Sequence, residues 1–168
     1  MKAITKTPRL QICEAEVTDS KFILELLNSP NWLEFIGDRD VKTEKQANAY
    51  IKSSLIASYK QNGYGLYKMC LKESLHPIGI CGFVKRDYLD HPDIGFAILP
   101  QFEGKGFTYE ACIALLDYGK YHLKLDSILG ITTMENIKSR NLLEKINLKQ
   151  VGTVTPKKNQ GEYLLFST

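Results

Sequence analysis

Gln101-Phe-Glu-Gly-Lys-Gly-Phe-Thr108 joins an apolar run, Ile94-Gly-Phe-Ala-Ile-Leu-Pro100, to a helical pattern extending from about Lys105 to His122. The first amides of a helix have no partner inside it and carry a partial positive charge, so a helix start is a ready site for an anion. Gly104 and Gly106 have no Cβ, which lets a phosphate oxygen approach the main chain and leaves φ unrestricted. Lys105 adds a full positive charge between them. Two other glycine signatures fit less well. A dinucleotide fingerprint needs a third small residue where Tyr109 stands, and a P-loop needs Gly-Lys-Ser/Thr where Gly106 is followed by Phe107.

The flanks decide what this turn belongs to. At 168 residues, 43% apolar and 24% charged, the chain has the length and balance of one globular domain. A net charge of +3 without a lysine/arginine block gives no support to a nucleic-acid partner. It is compatible with a polyanionic cofactor. Cys13, Cys70, Cys81 and Cys112 are scattered and read as reduced core thiols rather than a disulfide frame or a metal site. Neither a leader nor a membrane-spanning run is visible, so the expectation is a soluble cytoplasmic protein with no membrane partner.

Strands are predicted at Arg9 to Glu14, Tyr64 to Leu71, Ile78 to Lys85, Asp93 to Leu99, Ser127 to Thr133, Lys149 to Val154 and Glu162 to Phe166. A helix capped by Thr18 or Asp19 places Phe22, Ile23, Leu26 and Leu27 on its buried side and ends at Ser29-Pro30-Asn31, with Trp32 to Ile36 a loop or one turn. Thr43-Glu-Lys-Gln46 is a capping box opening a helix that Asn62-Gly63 stops. A last helix covers Asn136 to Ile146, and a polar turn falls at Pro156 to Gly161. The strand–helix–strand unit after Asp93 requires a parallel, right-handed crossover, and the element order gives a mixed sheet with helices on both sides.

These elements, in this order, resemble the GNAT N-acetyltransferase superfamily over Arg9 to Phe166. The resemblance is carried by Pro77-Ile-Gly-Ile-Cys-Gly-Phe83, by Asp93 to Pro100, by Gln-x-x-Gly-x-Gly at 101–106 with Tyr109-Glu-Ala111, and by Asn136-Ile-Lys-Ser139 with Leu143-Glu-Lys145. Thr7-Pro-Arg-Leu10 and Ser139 point to the RimJ/RimL-like branch. It implies one GNAT acetyltransferase domain over 1–168 with an α+β (mixed α/β) fold. The sheet would be mixed and mostly antiparallel, with a splayed parallel strand pair and helices on both faces. It further implies transfer of an acetyl group from acetyl-CoA to a primary amine, either a small molecule or a protein N-terminus, with homodimers common in the branch. A CoA-binding sensor or scaffold without catalysis is the alternative.

On that resemblance, main-chain groups around Ala97, Ile98 and Leu99 would pair with pantetheine like an added strand. Gln101, Phe102, Glu103, Gly104, Lys105, Gly106, Phe107 and Thr108 would form the pyrophosphate turn. Asn136 would reach the pantetheine arm, and Lys138, Arg140 and Lys145 would face the adenosine phosphates or simply be a solvated helix face. Where many members carry a tyrosine acid this chain has Leu143, so Ser139 becomes the candidate proton donor, with packing against CoA as its other reading. Asp93 stands where related enzymes often carry a glutamate and is the candidate base, Glu34 the next. Trp32, Phe35 and Arg39 are the candidate acceptor contacts. Core packing for Trp32 and an ion pair with Asp38 or Asp40 for Arg39 stay open.

Overall fold

The computed structural model describes residues 2–156 and 161–168, so most of the expected turn at Pro156 to Gly161 lies outside the described residues. The chain forms β1 (Ala3–Lys6), β2 (Leu10–Cys13), α1 (Ser20–Leu27), α2 (Pro30–Phe35), α3 (Glu44–Tyr50) and, after a π-helical stretch at Ile51–Ile56, α4 (Ala57–Asn62). It continues with β3 (Leu66–Leu71), β4 (Pro77–Val84), β5 (Asp93–Ile98), a 3-10 turn at Pro100–Phe102, α5 (Phe107–Tyr121), β6 (Leu129–Thr132), α6 (Ile137–Lys145), β7 (Lys149–Val154) and β8 (Tyr163–Ser167). The strands make one sheet in the order β1-β2-β3-β4-β5-β6-β8-β7.

Every pairing is antiparallel except β5 with β6, and that pair shares one register position, Asp93 opposite Leu129. The Leu129 amide donates to the Pro92 carbonyl at 2.9 Å, and beyond this point the two strands part. On one side of the sheet α1, α2, α3 and the π-helical stretch pack Ile23, Leu26, Trp32, Ala47 and Ile51 over Ile80 and Leu99. A second core joins Ala111, Cys112 and Leu115 of α5, Leu143 of α6 and its C-cap Ile146 to Cys81, Phe83 and Phe166.

Local chemistry explains where the elements begin and end, including the departures from expectation. Helix α1 ends at Leu27, just before Ser29-Pro30-Asn31, and Pro30 also opens α2, in whose first turn a missing N–H costs nothing and φ is already helical. Of the two readings of Trp32 to Ile36, the helical turn is the one formed, as the end of α2 with Ile36 as its C-cap. At Thr43 the hydroxyl accepts from the Gln46 main-chain amide at 3.2 Å, whereas the Gln46 side-chain oxygen accepts from the Lys42 main-chain amide at 2.9 Å and the Thr43 hydroxyl at 3.1 Å, so the box closes on the main chain one residue early. Gly63, at φ +76°, ends α4 as predicted. Strand β1 was not anticipated. It is a short edge strand of Ala-Ile-Thr-Lys with a bulge, and polar edge strands carry little periodic signal.

Candidate active site

The parting of β5 and β6 opens a cavity of about 1280 Å³ lined by both strands, the 101–109 turn, α6 and the helices of the opposite core. That exceeds the roughly 300–1,000 Å³ of a pocket for one small ligand. The orientation of the β5 main chain is fixed at both ends. The Pro92 carbonyl faces β6, and the Leu99 amide donates to Ile78 of β4 at 2.9 Å. Main-chain direction alternates along a strand, so the groups of Ile94, Phe96 and Ile98 point into the opening and those of Ala97 and Leu99 point to β4. This corrects the expectation for two residues. Ala97 lines the cavity but turns its peptide groups away. Leu99 does not line it, its side chain is buried, and its carbonyl is taken by the Phe102 amide at 2.9 Å.

The turn that follows is shaped by two left-handed glycines, Gly104 at φ +71° and Gly106 at φ +77°. Gly106 caps α5, and the first bond of the helical ladder runs from Glu110 N–H to the Gly106 carbonyl at 3.1 Å. The amides of Phe107, Thr108 and Tyr109 thus precede the ladder, at the cavity wall. A Cβ built on Gly104 meets nothing within 4 Å, so the space beside this turn is open. Phe102, Glu103, Gly104, Gly106, Phe107 and Thr108 line the cavity as expected. Gln101 and Lys105 do not. The Gln101 amide reaches Glu25 at 3.4 Å, and the Lys105 ammonium folds back onto the Gln101 carbonyl at 2.9 Å and over the Phe102 ring. The anion-binding character of the turn rests on its peptide groups, not on that lysine.

A clamp not anticipated from the sequence holds this turn in place. Glu110 accepts from the Thr7 hydroxyl at 2.5 Å, the Arg9 amide at 2.9 Å and the Arg9 guanidinium at 2.6 Å. The same guanidinium donates to the Lys105 carbonyl at 2.9 Å and lies 4.5 Å from the Phe107 ring centroid. Burial alone would raise the Glu110 carboxyl, but these donors outweigh it and hold it below the usual carboxylate range.

Across the opening, Asn136 caps α6 by accepting from the Ser139 amide at 3.1 Å, and both residues line the cavity. Lys138 and Lys145 line it too. Arg140 does not: its guanidinium donates to the Met134 carbonyl at 3.3 Å and stiffens the loop before α6, which removes it from the expected phosphate contacts. Glu103 spans the mouth, bonded to Asn31 and, at 3.0 Å, to Lys138.

At the inner end, Asp93 is 1% exposed, and both its oxygens accept from Arg86, at 2.8 and 3.3 Å. Burial pushes this carboxyl above the ordinary range and the guanidinium pulls against it. As an engaged ion pair at the base of the opening it is not poised as a free base. Glu34 does not line the cavity. Leu143 sits in the core, so no side chain there reaches the site, but Tyr88 and Tyr163, which sequence reasoning passed over, line it. Burial raises the Tyr88 hydroxyl, against the pull of the neighbouring Arg86 charge. The remaining wall carries Trp32, Phe35, Arg39, Tyr50, Ser53 and Ser54. Trp32 is both core and lining, donating to the Gly37 carbonyl at 3.1 Å. Asp38 pairs with Lys42 at 2.9 Å rather than with Arg39.

An open strand pair running to an amide-rich glycine turn, with room for a second reactant, is the arrangement that the resemblance to the acetyltransferases implies for an acyl donor such as a CoA thioester. Residues 9–149 match the Acetyltransferase (GNAT) domain family, and the chain belongs to it: it is an acetyl-CoA-dependent N-acetyltransferase. It is similar to the N-acetyltransferase YnaD of Bacillus subtilis (strain 168), 28% identical over 87% of this chain and 82% of that protein. In fold it is similar to a GNAT-family acetyltransferase from Bacillus anthracis (TM-score 0.81, 24% identity, 100% of this chain and 98% of that one). It is likewise similar in fold to the RimL ribosomal L7/L12 α-N-protein acetyltransferase in complex with coenzyme A (TM-score 0.81, 13% identity, 99% and 97%). Among the described residues no helix is long and apolar enough to cross a membrane.

Proposed function

We propose that residues 1–168 act as one catalytic unit that acetylates a primary amine by direct attack. Bound acetyl-CoA supplies the thioester-activated acetyl group. The observation carrying the site assignment is that β5 and β6 part at Asp93 and that their opening leads to the left-handed turn at Gly104 and Gly106. Amides of residues 104–109 hold the pyrophosphate, the inward peptide groups of Phe96 and Ile98 pair with the pantetheine amides, and Asn136 approaches from α6. Lys145 takes the outer phosphates, while Lys138 keeps its bond to Glu103.

In the transfer, the amine nitrogen bonds to the acetyl carbon as the carbon–sulfur bond breaks. The electron pair leaves with sulfur, and the amine gives up a proton. Inward amides of β5 polarise the carbonyl. The cavity-lining carboxylates Asp93 and Glu103 are both engaged, so the amine loses its proton to water. A thiolate is a fair leaving group, with a free-thiol pKa of about 8.5, and Ser139, Tyr88 and Tyr163 are its neighbouring hydroxyls. The acceptor enters past Trp32 and Phe35, as a small amine or the N-terminus of a protein. Four buried, unbridged cysteines support a cytoplasmic setting, and a homodimer is compatible with the fold.

Titration with CoA followed by a thiol-release assay on an amine panel tests the reading. Binding in the micromolar range with thiol release that requires an amine is the expected result. The pairing of Asp93 and the burial of Leu143 also fit a silent CoA-binding module, and tight binding without release from any amine would establish it.

A further inference from the structure

We infer that the acceptor is a small amine that also carries a carboxylate, held at the acceptor wall by the Arg39 guanidinium with the Tyr50 hydroxyl as second donor. This rests on the acetyl-transfer reading and adds the substrate class.

Charge is distributed unevenly around the cavity. The carboxylates that line it are Asp93 and Glu103, and each already has a cationic partner, Arg86 and Lys138. An acceptor with a second ammonium group, such as a polyamine, therefore meets no unpaired carboxylate among those that line the cavity. Arg39 is the reverse case. It is exposed, lines the cavity and forms no ion pair or hydrogen bond among the described residues, although Asp38 and Asp40 are its chain neighbours. Asp38 is engaged by Lys42 at 2.9 Å and by the Asp40 amide at 2.8 Å.

Uncharged polar side chains, Tyr50, Ser53 and Ser54, share the lining with Arg39. Tyr50 also lines the cavity with no hydrogen-bond partner among the described residues, close enough for its hydroxyl to feel the Arg39 charge. The π-helical stretch begins at the next residue and turns Ser53 and Ser54 to the cavity; such stretches are frequent at functional sites. A planar guanidinium beside a hydroxyl matches the two oxygens of a carboxylate.

The test uses the full chain with acetyl-CoA and three acceptors: glycine, β-alanine and 4-aminobutyrate, each against its own amide, with spermidine as a polycation control. The best acid should exceed its amide in kcat/KM by roughly 10- to 100-fold, the range of one lost charge-assisted contact. Arg39→Ala should bring the acid down to the level of the amide and Arg39→Lys should recover part of the difference. CoA affinity, measured by titration, should be unchanged in both and reports the integrity of the fold. Turnover of the amides or spermidine as fast as the acids would overturn the subsite while leaving acetyl transfer standing. So would an Arg39→Ala variant that slows acid and amide equally. CoA binding with no thiol release from any acceptor would remove the acetyl-transfer reading itself, and the subsite with it.

Discussion

Gly104 concentrates the site's requirements in one residue. Its φ of +71° excludes most side chains on backbone grounds, yet a Cβ there would meet no protein atom. Gly104→Ala should therefore cost about 1–2 kcal/mol of local strain without a clash, and the turn should relax away from its phosphate-binding shape. We expect CoA affinity to fall about tenfold or more while a cooperative melt survives at slightly lower temperature. Unchanged affinity by titration would remove the turn from the cofactor site. Asp93 carries a different lesson. Its position at the start of β5 was legible, but its partner was not, because a strand-end aspartate looks the same whether free or paired. Asp93→Asn leaves Arg86 without its counter-charge. It should destabilise by about 2–3 kcal/mol, below the figure for fully buried pairs because Arg86 is partly exposed. The variant-to-native rate ratio should stay flat across pH; a ratio that worsened as pH fell would return the role of base to this residue.

At the scale of elements, α5 is joined to the first hairpin by the Glu110–Arg9–Thr7 clamp. Arg9 and Glu110 are 101 residues apart in the chain, so no local pattern announces the contact. Thr7-Pro-Arg-Leu10 was readable as a family marker but not as a brace. Glycine turns, caps and apolar periodicity are local and gave α1, α5 and α6 nearly whole, whereas β1 and α2 depended on pairing and on the context of Pro30. The clamp has a pH signature. The Glu110 carboxyl titrates lower in the folded chain than in the unfolded one, so its contribution is present above the unfolded value of about 4.3 and is lost as pH falls through the folded value. Glu110→Gln should thus be less stable than the native chain by about 1–2 kcal/mol at pH 7, with the gap closing below about pH 4. Denaturant melts at the two pH values measure this, and weaker CoA binding at pH 7 should accompany the loss.

For the whole molecule, the mixed architecture followed from the order of segments and the parallel pair from the strand–helix–strand unit, whereas the order of strands in the sheet needed the structure. Which side chains line the opening did not follow from the segments, because one residue of twist decides whether a group faces the cavity or a neighbouring strand: Gln101, Lys105 and Arg140 each turn away. The alternation along β5 makes a prediction for the assembled sheet. CoA should slow hydrogen exchange at the Phe96 and Ile98 amides, while the Leu99 amide, already bonded to Ile78, should be slow with or without ligand. Equal exchange at Phe96 and Ile98 in both states would mean that no ligand pairs with that strand.

The parting of β5 and β6 gives this sheet four margins instead of two, and the inner pair lies at its centre. Raw strand margins recruit stray chains, and a channel wide enough for a metabolite also admits an extended peptide. The metabolite thereby doubles as a plug: cells depleted of pantothenate should accumulate this protein as aggregate, and adding CoA to the lysis buffer should keep more of it in solution.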